Sequence, residues 1–193
     1  RITAQLISAA DGFHLWSDAY GGNLGDVFAL QERVARAVSD ALQVTLSDSQ
    51  ATQLVDAGTA NAQAYALYLA AAAAYRRRDA ALYAEAISQL EQALVLDPDY
   101  ARAEARAAML QALVAAWEPT DGPAFGAARV HAERALALDP RLAEPHAALG
   151  LLATRAHRWI EARVSFERAL ALAPQDAEIV FSHGRHLMQS GYL

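Results

Sequence analysis

Ala93-Leu94-Val95-Leu96-Asp97-Pro98 returns as Ala135-Leu136-Ala137-Leu138-Asp139-Pro140 and again as Ala169-Leu170-Ala171-Leu172-Ala173-Pro174. The last two prolines stand 34 positions apart and the first two 42. A fixed period of this size marks a repeat architecture, in which each unit buries its apolar face against the next. Each proline lacks a backbone donor and cannot continue a helix, so Pro98, Pro140 and Pro174 each end one. The preceding Asp97 and Asp139 favour a turn. Twelve residues before the prolines lie Ala86, Ala128 and Ala162, whose small side chains let two helices approach closely. Leu90 and Phe166 are the large knobs that fill the remaining space. The longer spacing, from Pro98 to Pro140, implies an insertion in the second unit at 117–126, which holds two prolines and two glycines and reads as a loop.

These positions resemble the tetratricopeptide repeat family. The third unit matches through Leu149, Gly150, Ala162, Phe166, Ala169 and Pro174. The first matches through Tyr68, Ala72, Tyr75, Ala86, Leu90, Ala93 and Pro98, with a small insertion around 78–82. The second matches in its second helix, with Ala128 and Pro140, but has Gln111 where an aromatic is usual and Ala132 where a large residue is usual. The expected fold is mainly α: a helix-turn-helix solenoid over 61–193, with units at about 61–100, 101–142, 143–176 and a partial unit at 177–193.

Ahead of the solenoid the pattern changes. Arg1–Ile7 and Phe13–Tyr20 are rich in residues that suit strands, and Asp11-Gly12 between them predicts a hairpin turn. Val27, Leu30, Val34, Val38 and Leu42 then recur at helical spacing after Asp26. Ser47-Asp48-Ser49-Gln50 fits a capping box opening a short helix that ends near Gly58. Arg1–Ile7, Gly12–Ser17 and Asp26–Glu32 resemble the end of the TolB-like α/β domain, with Gly21-Gly22 where that family has an Asp-Arg pair. Such domains precede tetratricopeptide repeats in bacterial adenylate cyclase-type proteins and in winged-helix regulators. The implied organisation is a remnant of that domain at 1–46 and a connecting helix and linker at 47–60. The chain opens inside a strand pattern and stops inside a repeat, so it reads as a piece of a longer protein.

Composition narrows the function. The chain is 54% hydrophobic and 20% charged, with a net charge of −6. That argues against disorder and gives no reason to expect nucleic acid. With no cysteine there are no disulfides or thiolate metal sites. The longest apolar run, Ala64–Tyr75, is short for a membrane span. Its compartment, cytoplasmic or periplasmic, is not written in it. Gly21-Gly22-Asn23-Leu24-Gly25 fits neither dinucleotide nor P-loop spacing. His183 and His186 lie one helical turn apart, yet no third metal ligand is near and packing explains them better. Nothing reads as a nucleophile, an acid–base pair, a metal site or a cofactor site.

The expected function is therefore a protein-interaction scaffold, the non-catalytic regulatory region of a bacterial signalling protein. The alternative is the small-ligand sensor region of an adenylate cyclase or transcription regulator. In the tetratricopeptide family the first helices line the concave face. That resemblance implies a partner surface of Leu69, Arg76 and Arg77 in the first unit and Arg102, Arg106 and Met109 in the second. Leu151 and Arg155 continue it in the third, and Phe181 and Arg185 in the fourth. Arginine forks suit carboxylates, so an acidic peptide or chain terminus with an apolar anchor fits. The opposing reading pairs these arginines with Glu104, Glu144 and Glu178 of the chain itself.

Overall fold

The structure, a computed structural model, describes residues 2–7, 12–22, 27–41, 57–120 and 122–191. The chain divides into two compact units, Arg1–Gln63 and Ala64–Leu193.

In the first unit, β1 (Ile2–Ile7) and β2 (His14–Tyr20) pair antiparallel, with Ile2 opposite Tyr20 and Leu6 opposite Trp16. The register slips between Leu6 and Ile7. Gly12 carries a positive φ of 74°, which the turn requires and glycine accepts without strain. Helix α1 (Val27–Ala41) packs on β2 and buries Leu30. The predicted capping box at 47–50 lies outside the described residues.

The second unit holds the helices that follow: α2 (Ala62–Arg76), α3 (Tyr83–Leu96), α4 (Ala101–Val114), α5 (Pro123–Leu138), α6 (Ala143–Arg155), α7 (Trp159–Leu172) and α8 (Ala177–Ser190). They are arranged in pairs, α4 with α5 and α6 with α7 packing most extensively, and α4, α6 and α8 pack in sequence on one another. The turns between pairs are built by the residues that the repeat supplies. Asp97 Oδ1 accepts from the Asp99 amide at 3.3 Å, and Asp139 Oδ1 from the Arg141 amide at 3.0 Å. Aspartate favours turns through such bonds to the backbone two residues on. Asp176 caps α8, its Oδ1 accepting from the amides of Glu178 and Ile179 at 2.9 and 3.1 Å, which satisfies two donors the helix leaves open.

The core is alanine-rich because the helices come close. Ala86, Ala93, Ala128, Ala135, Ala162 and Ala169 are all fully buried. Large side chains occupy complementary places. Leu90 and Phe166 are buried on the second helix of their pairs. In the second pair the bulk lies on the first helix instead: Met109 and Leu110 are buried on α4 while Ala132 on α5 is small. Tyr68 and Leu149 pack partly buried against this core, Tyr75 and Gly150 lie within it, and Pro98, Pro140 and Pro174 sit in the turns.

The insertion departs from the expected loop. A 3-10 turn (Ala115–Trp117) lengthens α4, and α5 already starts at Pro123, so Pro123–Gly126 is helical. Proline is well suited to the first helical position, where its missing N–H has no partner to lose. Phe125 is thereby buried, while Trp117 stands 86% exposed.

Candidate partner-binding surface

The first helices place the expected residues in two different environments. Met109 and Leu151 are 1% and 7% exposed, so the apolar middle of the expected surface is spent on packing between α4 and α6. Leu69 and Phe181 remain exposed, at 39% and 53%. Such solvent-facing apolar groups on helix faces suit the anchoring of an apolar side chain.

The arginines also separate. Arg106 lies with its guanidinium carbon 4.4 Å from the Tyr75 ring centroid and its Nε 3.1 Å from Glu144 Oε1. Burial raises the Glu144 carboxyl above the usual carboxylate range, with Arg106 opposing that shift. The Tyr75 hydroxyl is likewise pushed up by burial and by the carboxylates of Glu144 and Glu178. Arg155 Nη2 donates to the Glu118 carbonyl at 2.9 Å, tying α6 to the start of the insertion. Arg102 is half-buried near the turn that opens α4. Arg76, Arg77 and Arg185 are exposed, and no ion pair or hydrogen bond engages their side chains among the described residues.

The three glutamates named as internal partners each find a cation. Glu144 takes Arg106 and Glu178 takes Arg78. Glu104 is 4% exposed and faces α5: Oε2 lies 2.5 Å from His131 Nδ1 and Oε1 2.8 Å from Arg134 Nε. A buried carboxylate needs this compensation, because an unpaired one is expensive to desolvate.

Two arrangements were not read from the sequence. Arg78, assigned to a small insertion, carries its guanidinium 5.0 Å from the Phe181 ring. No local pattern signals a contact spanning a hundred residues. The second is the Thr154–His186 pair. Thr154 Oγ1 donates to the Gly150 carbonyl at 2.8 Å and lies 2.9 Å from His186 Nδ1. The hydroxyl has one hydrogen, so Nδ1 supplies the proton of the second bond. Nε2 is then a buried lone pair without a partner among the described residues. Burial and the neighbouring His183 hold the His186 pKa below the ordinary histidine value. The ring contacts Phe166 at 5.5 Å and Trp159 at 6.3 Å between centroids. Among the described residues, no three His, Cys, Asp or Glu side chains cluster to hold a metal ion. No described helix is long and apolar enough to cross a membrane.

The structure is similar to the TPR domain of Arabidopsis OM64, with a TM-score of 0.51 and 19% identity over 64% of this chain and 93% of that one. At that identity the likeness concerns the fold, which contains a tetratricopeptide-like helical repeat region. The chain is also 33% identical, over 110 residues and 57% of its length, to putative adenylate cyclase 3 of Rhizobium meliloti (strain 1021). It is thus partly homologous to a bacterial adenylate cyclase, and the match spans about a fifth of that relative, 19% of its length. No family model matches the chain.

Proposed function

We propose that the helical repeat region, from about residue 61 onward, is a non-catalytic protein-interaction module in a bacterial signalling protein. In this reading the hairpin and α1 are the end of a TolB-like α/β domain. The observation that carries the proposal is the occurrence of exposed apolar groups, Leu69 and Phe181, with the cations Arg76, Arg77 and Arg185, which no partner engages among the described residues, on the first and last of the first helices. Such a surface suits an acidic peptide or chain terminus with an apolar anchor, since planar guanidinium groups take carboxylates in pairs of hydrogen bonds. The partial homology with an adenylate cyclase supports a signalling context.

The small-ligand reading has weaker support. The cavity between α2 and α3 measures about 200 Å³ and that among α4, α6 and α8 about 110 Å³. Both fall below the roughly 300–1,000 Å³ that encloses a drug-sized ligand, and the larger concavity of about 540 Å³ at His157–Glu161 is open to solvent and lined by one short stretch, so it encloses none. Arg106 and Arg155 are already engaged, so the test falls on the other cations. Replacing Arg77 and Arg185 with Glu is expected to weaken binding of a labelled acidic peptide at least about tenfold at low salt and to flatten its salt dependence. Unchanged affinity and salt slope in the double variant would remove these residues from any partner surface.

A further inference from the structure

We propose that Arg76-Arg77-Arg78, at the end of α2, is the receiving site for the ligand's carboxylates, and that Glu178 occupies it within the chain as a built-in competitor. The proposal rests on the peptide-binding reading above and adds to it a location and a means of regulation.

Arg78 sits in the turn after α2 with a positive φ of 53°, a conformation few non-glycine residues adopt. Its amide donates to the Tyr75 carbonyl at 3.0 Å. From there the side chain reaches the first turn of α8. Nε donates to Glu178 Oε1 at 2.9 Å, Nη2 donates to the same oxygen, and the guanidinium stands over the Phe181 ring. The carboxylate, the cation and the exposed aromatic thus already reproduce, within one chain, the contact that an acidic ligand with an apolar anchor would make.

The neighbouring charges fit this role. Arg76 and Arg77 are exposed and unengaged beside Arg78 among the described residues. The adjacent carboxylate, Asp79, is occupied by the Ala81 amide at 3.0 Å. Glu144 is held by Arg106, and Asp176 by the α8 amides. Glu85 lines the cavity beside Arg77, with its Oε1 accepting from Gln89 Nε2 at 3.3 Å. Among the described residues, Glu178 is therefore the acid paired within the arginine run. Its side chain is 32% exposed and that of Arg78 52%, so the pair is screened and exchangeable. A ligand carrying several carboxylates would gain Arg76 and Arg77 together with Arg78, which Glu178 alone cannot span. Ligand binding would also release the link between the first helix pair and α8.

The test is titration of the full chain with a labelled oligoglutamate peptide, read by fluorescence anisotropy at low salt. Glu178→Gln should bind about three- to fivefold tighter than the wild type, the scale an exposed ion pair sets. Arg78→Gln should cancel that gain, so the double variant binds no tighter than Arg78→Gln alone. If the wild type binds and Glu178→Gln binds no tighter, the competitor role is wrong while the peptide surface stands. If none of the proteins binds, the acidic-ligand reading itself fails and this proposal with it. A second measurement needs no ligand. The chain has no cysteine, so spin labels at Ala81→Cys and Ala177→Cys report one distance. Arg78→Gln and Glu178→Gln should each lengthen or broaden it, and unchanged distributions would overturn the proposal.

Discussion

The third helix pair and the first carry the same spacing of small and large residues, yet they close differently. In the third, a Cβ added to Gly150 would lie 2.9 Å from a Phe166 ring carbon, so the ring rests directly on the α6 backbone. In the first, Ala72 stands at the place of Gly150 and Leu90 at that of Phe166, and a cavity of about 200 Å³ opens between α2 and α3. The tyrosines of α2 reach instead to α4, the first helix of the next pair, with the Tyr68 ring 5.3 Å from that of Tyr100 at the start of α4 and Tyr75 under Arg106. With a methyl group in place of the glycine hydrogen and extra residues in the turn that follows α2, the first pair has an open space where the third has a tight backbone contact. The looser pair is also the one whose turn carries Arg78 to α8.

The largest expected effect strikes the tight pair. Phe166 is a fully buried ring, and Phe166→Ala should cost about 3–5 kcal/mol in urea unfolding followed by circular dichroism. Leu90 is equally buried but lies on a helix that borders an existing cavity. Leu90→Ala should cost about 2 kcal/mol, the low end of its class, because the site can collapse. Equal losses would erase the contrast between the two pairs.

A smaller effect sharpens the comparison at its contact point. Gly150→Ala forces the ring to shift, and overpacking of about 1–3 kcal/mol outweighs the helix preference of alanine, about 1 kcal/mol, leaving a modest net loss. Gly184 takes the corresponding place on α8, with nothing within 4 Å of an added Cβ. Gly184→Ala should therefore raise stability by about 0.5–1 kcal/mol. Thermal unfolding of the two variants side by side checks the pair of signs.

The smallest effect concerns His186, which packs against the same Phe166 ring. Its folded pKa is depressed, so the folded protein binds this proton less readily than the unfolded chain. The stability it contributes is fully present above the unfolded value of about 6.5 and is lost as pH falls through the lower folded value. The unfolding midpoint of the wild type should fall on acidification by more than that of His186→Gln, and parallel curves would show that His186 does not couple.

Most of the helical framework was legible because its signals are local. Pro98, Pro140 and Pro174 stop helices whatever surrounds them, and the run of alanines ahead of each declares a close approach. The insertion was harder to read. Its prolines and glycines suggest a loop, but Pro123 at a helix start and Phe125 facing the core make half of it helical. The partner surface was legible only in outline. The resemblance named the first helices, but Met109 and Leu151 are buried because neighbouring helices cover them, and coverage is not a property of one helix.

By itself the sequence determined the class of architecture and the prolines and aspartates that turn the chain between helix pairs, since these follow from backbone chemistry within a few positions. Only the tertiary structure decided which arginines are engaged. Arg106 meets Glu144, Arg78 meets Glu178, and Glu104 turns toward His131 and Arg134. Those choices depend on how far successive helix pairs are displaced along one another, a geometry set by the summed packing of many side chains.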